Sequence, residues 1–120
     1  MNILVCEDEE IMLTALEFRL QKQGFKVMTA KDGRQAIEAI DAGMPDLIIA
    51  DIMMPHVSGL EIIEHVRQKV KQDTPIIIIS ALENDETVLK AFELGANDFV
   101  TKPFKPVELV IRIKKILQEA

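Results

Sequence analysis

The sequence is poor in features on which several classes of protein depend. Its single cysteine, Cys6, cannot form an internal disulfide, and a lone thiol is typical of a reducing cytoplasm. No apolar run approaches the ~18 residues needed to cross a bilayer, and no cationic start leads into a long apolar stretch. We therefore expect a cytoplasmic protein with neither a membrane span nor a secretory signal.

Basic residues are scarce relative to acidic ones. The 14 lysines and arginines face 20 aspartates and glutamates, which gives a net charge of −6. Because phosphate contacts require a basic face, we expect no direct contact between this chain and nucleic acid. A hydrophobic share of 48% and a charged share of 28% exclude a disordered or collagen-like chain. The 120 residues predict a single domain, residues 1–120, with one core.

Five short segments have the composition of β-strands. Three of them are continuous runs of mostly branched aliphatic residues, as in parallel strands that helices cover on both faces. In another, apolar Phe25 and Val27 alternate with Lys26, which favours an edge strand with one wet face. The predicted strands are residues 3–6, 25–30, 47–50, 76–79 and 99–101.

Helical patterns lie between and after these segments. Asp32 is predicted to be an N-cap, Ser58 and Glu61 a capping box, and Gly95 a helix stop. Apolar stripes at helical spacing mark the first helix at Ile11, Ala15, Leu16 and Leu20, and the fourth at Val88, Leu89 and Phe92. Five strands that alternate with five helices predict a doubly wound α/β sheet with right-handed crossovers.

Polar side chains follow four of the five predicted strands. Glu7 and Asp8 come after the first, Asp51 after the third, Ser80 after the fourth and Lys102 after the fifth. Parallel strands end at the same edge of a sheet, and ligands bind at that edge. Each group alone is commonly a cap or a solvated side chain, but groups that converge from four strands predict a functional site.

The chemistry of this set points to phosphoryl transfer. Unit charges ~4 Å apart repel by about 4 kcal/mol at an effective dielectric of 20, so either one carboxyl is protonated or a cation lies among them. Oxygen ligands opposite Lys102 favour Mg²⁺. Asp51 could then attack a phosphoryl donor, while Lys102 offsets charge and Ser80 donates its hydroxyl to a phosphoryl oxygen.

Taken together, these residues resemble the receiver domain of bacterial two-component response regulators over essentially the whole chain. The resemblance rests on Glu7-Asp8, Asp51 with Pro55 and Gly59, Ser80-Ala81, and Phe99 with Lys102-Pro103. It implies a flavodoxin-like sheet with strand order 2-1-3-4-5. It also implies a signalling domain that promotes only its own phosphorylation and dephosphorylation, and is not otherwise an enzyme.

The resemblance also implies roles for individual residues. Asp51 would be the phosphoacceptor for the phosphohistidine of a sensor histidine kinase. Asp8 and Asp51 would bind Mg²⁺ through their side chains, Met53 through its backbone carbonyl and Glu7 through water. Lys102 would contact the phosphoryl group, and Lys102-Pro103 is the candidate for a cis peptide bond.

In similar receivers, the switch and the output surface have recognisable positions. Ser80 would move toward the phosphoryl group and Phe99 would turn inward, which changes the surface of the fourth helix, fifth strand and fifth helix. Receivers that carry a DNA-binding output domain use the positions of Asp98, Glu108 and Arg112 for ion pairs across a homodimer. This chain has Val88 where those receivers usually have a lysine, with Lys90 on a different face, so it departs from the usual dimer network at that position. A homodimer through this surface is the expectation.

Two apolar residues near the site bear on the lifetime of the phosphorylated state. Met53 follows Asp51 by two positions and Leu82 follows Ser80 by two. In similar receivers, polar or acidic groups at these two positions can position the water that hydrolyses the acyl phosphate. Both positions are apolar here, so we expect slow decay of the phosphorylated form.

The residues leave alternatives open. A Mg²⁺-dependent phosphatase would also use an aspartate nucleophile, but on the first strand. A flavodoxin-like cofactor binder needs small residues and backbone donors where four acids stand here. A receiver fold can also signal as a scaffold without phosphorylation. Outside this set, we expect Cys6 to be a buried apolar residue, His65 to be solvated, and His56 to be able to contact partners.

Overall fold

The structure, a computed structural model, describes residues 1–81 and 84–119. The strands are β1 (Asn2–Cys6), β2 (Lys26–Ala30), β3 (Leu47–Asp51), β4 (Ile76–Ser80) and β5 (Asp98–Thr101). The helices are α1 (Glu10–Lys22), α2 (Gly33–Ala42), α3 (Gly59–Glu64), α4 (Asp85–Leu94) and α5 (Pro106–Glu119), and α3 continues as a π-helical segment over His65–Val70. Within the described ranges, no helix combines the length and the apolar character required to cross a membrane.

The five strands form one parallel sheet in the order β2-β1-β3-β4-β5. The predicted α/β class and strand order are therefore confirmed. The chain moves from β1 outward to β2 and then returns past β1 to β3, so the direction of winding reverses between β1 and β3. In such sheets, the crevice at the carboxyl ends of the two strands that flank the reversal is the usual ligand site.

Both faces of the sheet are covered, which explains the continuous apolar runs of its central strands. Successive residues of a strand point to opposite faces. Leu4 and Ile48 pack in the layer that contains α2, α3 and α4, whereas Ile3 and Ile49 pack in the layer that contains α1 and α5. Burial of each such side chain contributes about 1.5 to 3 kcal/mol to folding. At the edge of the sheet, Lys26 of β2 stays exposed, as the alternating pattern predicted.

Local signals set the ends of the helices. The side chains of Asp32 and Asn84 each accept a backbone N–H bond at 2.8 Å. Ser58 and Glu61 form the reciprocal bonds of the predicted capping box, both at 3.3 Å. Helix α4 ends at Gly95, which has a φ of 116°, a value that residues other than glycine rarely adopt.

The predicted apolar stripe of α1 is wrong in part. Ile11 is 81% exposed and Ala15 also faces solvent, whereas Leu13, Leu16 and Leu20 are buried against the sheet. Apolar residues lie on more than one side of this helix, so their spacing does not identify the buried side. The buried side of α1 is determined by its contacts with β-strand residues that are distant in the sequence.

Helix α4 differs from its predicted stripe in the same way. Leu89 and Phe92 are exposed, Val88 is half-buried, and Ala91 is the buried residue. A small residue on the inner side lets the helix backbone lie close to the sheet.

Two of the other predictions for single residues can be compared with the structure. Cys6 is fully buried, as expected, and burial raises the pKa of its thiol well above the usual range. The prediction that His65 is solvated is wrong. Its side chain is only 16% exposed, and its Nε2 atom lies 2.7 Å from Oδ1 of Asp41. His65 is the first residue of the π-helical segment, and Asp41 lies near the end of α2.

Candidate functional site

The carboxyl ends of β1, β3, β4 and β5 bring the predicted site residues to one edge of the sheet. Glu7 and Asp8 directly follow β1, Asp51 ends β3, Ser80 ends β4 and Lys102 directly follows β5. The strand register places neighbouring ends level with one another, since residue 6 pairs with residue 50, residue 51 with residue 79 and residue 80 with residue 101. The sheet itself therefore assembles the cluster.

Lys102 is the cationic centre of this cluster. Its ammonium nitrogen Nζ lies 2.5 Å from Oδ2 of Asp51 and 2.8 Å from Oε1 of Glu7. Burial by itself would lower the pKa of the ammonium, but the hydrogen bonds that it donates to Asp51 and Glu7, together with their charges, outweigh burial, so the pKa of Lys102 is raised. One protonated lysine thus compensates two buried carboxyl groups.

The three carboxyl groups lie close enough to share a cation. Glu7, Asp8 and Asp51 each offer an oxygen, and these oxygens lie within 4.8 Å of one another. Burial raises the pKa of Glu7 to about 7, the hydrogen bond and charge of Asp51 add to the effect, and Lys102 opposes it. Both ways of relieving the repulsion, a proton and a cation, are therefore open to this site.

The unsatisfied oxygen of Glu7 is the observation that tests whether a divalent ion fits. Glu7 is fully buried, and its Oε2 atom has no hydrogen-bond partner within the described part of the chain. A buried acceptor without a partner costs about 1 to 3 kcal/mol, and a hydrated ion beside it would supply one. Carboxylate oxygens are the donors that Mg²⁺ prefers, so the residues fit this ion.

The loop after β3 fixes the orientation of the Asp51 carboxylate. The Met53 N–H donates to Oδ1 of Asp51 at 2.9 Å, while Oδ2 faces Lys102. The Gly59 N–H donates to the Ile52 carbonyl at 3.1 Å, and a Cβ atom at Gly59 would lie 2.5 Å from the Asp51 carbonyl oxygen. Glycine at position 59 thus allows α3 to begin directly against the end of β3.

Ser80 and Phe99 lie beside this pocket on β4 and β5. Ser80 is fully buried, and its carbonyl accepts the Lys102 N–H at 2.8 Å, which ties the end of β5 to that of β4. Phe99 is half-buried and packs against the core layer of α2, α3 and α4. The Lys102-Pro103 peptide bond is cis.

The residues assigned to a dimer surface lie away from the pocket and pair within one chain. Arg112 Nη1 donates to both Asp98 oxygens, at 2.8 and 2.9 Å, and Nη2 donates to Glu108 at 3.1 Å. Val88 is half-buried and Lys90 exposed. Leu82, the second residue assigned to phosphoryl lifetime, lies outside the described residues.

Sequence reasoning missed the direct bond between Glu7 and Lys102. It assigned Glu7 to a water-mediated metal contact and Lys102 to the phosphoryl group. The pair is separated by 95 positions and joined only by the sheet order, so the sequence held no local signal for it.

The raised pKa of Glu7 makes a prediction about stability. Because the folded-state pKa of about 7 exceeds the unfolded value of 4.5, the folded chain binds more protons between these pH values, and its stability falls as pH rises through them. Glu7→Gln mimics the neutral acid. It is expected to stabilise the metal-free protein by about 1 to 3 kcal/mol at pH 8 and to have little effect at pH 4.

Urea unfolding with a chelator present measures this difference. Glu9→Gln, a neighbouring exposed acid, is the control and is expected to change stability by less than about 0.5 kcal/mol. A Glu7→Gln protein less stable than the wild type at pH 8 would contradict the prediction.

Comparisons with known proteins identify the family. The profile of the family described as "Response regulator receiver domain" matches residues 3–114. The alkaline phosphatase synthesis transcriptional regulatory protein PhoP of Bacillus subtilis (strain 168) is 39% identical over 119 residues, which cover 99% of this chain and 49% of PhoP. Response regulator RR06 of Streptococcus pneumoniae serotype 2 is 41% identical over 118 residues, which cover 98% of this chain and 54% of RR06. The chain thus spans about half the length of these curated relatives.

Solved structures agree with the profile. The receiver domain of the Francisella response regulator 1452 superposes with a TM-score of 0.92 at 30% identity, covering 98% of this chain and 97% of that one. The beryllofluoride-activated DrrB receiver domain superposes with a TM-score of 0.89 at 35% identity and the same coverage. The chain therefore belongs to the response regulator receiver domain family of two-component systems.

Proposed function

We propose that this receiver is a switch that is activated by phosphorylation of Asp51. In the presence of Mg²⁺, Asp51 accepts a phosphoryl group from the phosphohistidine of a sensor histidine kinase. The observation that carries the proposal is the position of the Asp51 carboxylate. It lies 2.5 Å from the Lys102 ammonium and within 4.8 Å of oxygens of Glu7 and Asp8. A nucleophile, a fixed cation and a set of hard oxygen ligands thus meet at one point, as phosphoryl transfer requires.

The reaction at Asp51 is a single displacement. A carboxylate oxygen of Asp51 attacks phosphorus, the O–P bond forms, and the P–N bond to the kinase histidine breaks as the imidazole leaves with the electron pair. Mg²⁺, when bound, offsets the negative charge of the phosphoryl oxygens. Asp8 and Asp51 would hold the ion through their carboxylates and Met53 through its backbone carbonyl, with Glu7 assisting through water.

Lys102 and Ser80 stabilise the transferred group. The Lys102 ammonium is already fixed beside Asp51 and Glu7, so little rearrangement is needed for it to meet the developing charge. The Ser80 hydroxyl, at the end of the neighbouring strand, would donate to a phosphoryl oxygen. Phosphorylation turns one negative charge into nearly two, which strengthens both contacts.

Movement of Ser80 and Phe99 would carry the signal to the surface of α4, β5 and α5. Phe99 is half-buried on β5, three residues before Lys102, and packs against the core layer that contains α4, so a change in its packing would reach α4. On this surface, Arg112 would exchange its pairing with Asp98 and Glu108 for the same residues of a second copy. Exposed ion pairs contribute only about 0 to 1 kcal/mol each, so a homodimer should be weak before phosphorylation. Equilibrium sedimentation with and without beryllofluoride measures this change.

The remaining features of the proposal concern the rest of the regulator. One curated relative is described as a transcriptional regulator, and this chain matches about half of its length. In the proposal, the receiver controls a DNA-binding output domain elsewhere in the full-length protein and, with a net charge of −6, makes no nucleic acid contact itself. In the proposal its location is cytoplasmic, in keeping with a single cysteine that cannot form an internal disulfide.

Incubation with acetyl phosphate and Mg²⁺, followed by intact-mass analysis, tests the function. The expected result is one phosphoryl adduct per chain that disappears when Mg²⁺ is chelated before the donor is added. Multiple turnovers of phosphate release from a generic phosphate ester would instead identify a phosphatase. A chain that forms no adduct and takes up no beryllofluoride would be a phosphorylation-independent scaffold.

The phosphorylated form is expected to decay slowly. Met53 is 62% exposed, and its side chain has no polar group that could orient a water molecule toward phosphorus. After removal of the donor, the adduct should persist for minutes or longer, as followed by intact mass with Mg²⁺ present. Met53→Glu, which introduces a carboxylate, should shorten this lifetime, and a wild-type half-life of seconds contradicts the prediction.

A further inference from the structure

The loop between β3 and α3, residues 52–58, contains a strained turn. We call it the acceptor loop. The Val57 N–H donates to the Pro55 carbonyl at 2.9 Å, and the residue between them, His56, has a φ of 71°. A bond that closes after two residues, with a positive φ at the central residue, is the rarer and strained form of γ-turn. Such a conformation of a residue other than glycine persists only where surrounding structure holds it.

The N-terminus of α2 supplies that support. The Gly33 N–H donates to the Pro55 carbonyl at 3.2 Å, so one carbonyl accepts both this bond and the bond that closes the turn. Gly33 is buried, and a Cβ atom there would lie 2.0 Å from the Val57 carbonyl oxygen and 2.3 Å from the Val57 Cβ. Glycine at this position allows two backbones to touch, and no larger residue fits without displacing the turn.

The acceptor loop is thereby held at two points. At its far end, Gly59 bonds to Ile52 and lies against the Asp51 backbone. In its middle, Gly33 bonds to Pro55. The segment between the two carbonyls that accept these bonds, those of Ile52 and Pro55, includes Met53, whose N–H donates to Oδ1 of Asp51 at 2.9 Å and orients it.

We propose that Gly33 is a positioning residue for phosphorylation. By letting α2 rest directly on the Pro55–Val57 turn, it keeps Met53 in place, so that the Asp51 carboxylate and the Met53 carbonyl face the metal site. The inference rests on the proposed function of Asp51. It adds to that function a residue from a helix that contributes no side chain to the pocket.

The chain offers a matched control for Gly33→Ala. Gly43 stands at the other end of the same helix, has an extended backbone, and has no atom within 4 Å of a Cβ placed on it. Gly33→Ala is expected to lower the rate of phosphorylation by acetyl phosphate and the affinity for Mg²⁺ by about 10-fold or more, since small displacements of reacting groups are costly. It should also speed hydrogen exchange of the Val57 amide. Gly43→Ala should leave all three at the wild-type level.

A second comparison separates positioning from loss of stability. Ile113→Ala, in the core layer of α1 and α5, provides a destabilised variant remote from the acceptor loop, compared with Gly33→Ala under conditions where both are folded. If Gly33→Ala acts only by lowering the stability of the fold, the two folded variants should bind Mg²⁺ with the same affinity. In the Gly33→Ala background, His56→Gly, which removes the strain of the turn, should restore part of the lost affinity.

The outcomes decide the inference separately from the function. If wild-type protein is phosphorylated and Gly33→Ala matches it in rate, Mg²⁺ affinity and Val57 exchange, or if Ile113→Ala weakens Mg²⁺ binding equally, Gly33 has no positioning role. If wild-type protein forms no adduct, the proposed function fails, whereas Mg²⁺ affinity and Val57 exchange still decide whether Gly33 positions the loop.

Discussion

Asp51→Asn is expected to abolish the phosphoryl adduct, with a loss of about 100-fold or more after incubation with acetyl phosphate and Mg²⁺. The asparagine amide is not a nucleophile, and it also removes one of the charges that attract the metal ion. The fold should persist, because Lys102 keeps its bond to Glu7 at 2.8 Å. Intact-mass analysis measures the adduct, and circular dichroism checks the fold.

Asp73→Asn is the matched control for this change. Asp73 is exposed and precedes β4, at the opposite edge of the sheet from the pocket. The Asp73→Asn protein should form the same amount of phosphoryl adduct as the wild type, because Asp51 is unchanged. An undiminished adduct in Asp51→Asn would falsify the assignment of Asp51 as the acceptor.

Lys102→Met is expected to have two large effects that differ in their pH dependence. Removal of one partner from a buried ionic cluster leaves Asp51 and Glu7 uncompensated, and such changes cost about 3 to 5 kcal/mol. Loss of a fixed cation beside the reacting group should also slow phosphorylation by about 100-fold. Urea unfolding and the rate of adduct formation measure the two effects.

The sign of the pH dependence follows from Glu7. Lys102 lowers the pKa of Glu7, so its removal raises that pKa beyond about 7. When folding raises the pKa of a carboxyl group, the free energy of unfolding of the protein falls as pH rises from the unfolded-state pKa to the folded-state pKa. The destabilisation by Lys102→Met should therefore be larger at pH 8 than at pH 5, where Glu7 binds a proton. Equal losses at both pH values would show that the charge of Glu7 is not what Lys102 compensates.

Lys105→Met provides the control for both measurements. Lys105 lies three residues further along the chain and is exposed. Loss of its charge should change stability by less than about 0.5 kcal/mol and leave the phosphorylation rate unchanged.

The sequence predicted the fold of this chain well because its signals are local. Continuous aliphatic runs such as residues 76–79 mark strands buried on both faces, and the capping box of Ser58 and Glu61 marks the start of α3. Once the strands are known to be parallel, their ends define one edge. Asp51, Ser80 and Lys102 therefore lie at that edge, and the strand order makes their strands neighbours.

The details that the sequence did not predict depend on contacts between distant segments. Nothing near Ile11 in the sequence shows that Leu13 would face the sheet instead, because both sides of α1 carry apolar residues. Likewise, the solvated position expected for His65 overlooked Asp41 on the neighbouring helix.

The sequence by itself determined which residues end the strands, and therefore which chemical groups gather in the pocket of this receiver. The tertiary structure alone decided how those groups share their charges, since one lysine bonds both Asp51 and Glu7 across the sheet. It also decided that Gly33 touches the acceptor loop. The physical reason is range: hydrogen-bonding and apolar patterns act within a few residues, whereas charge compensation and close packing depend on which segments the fold makes neighbours.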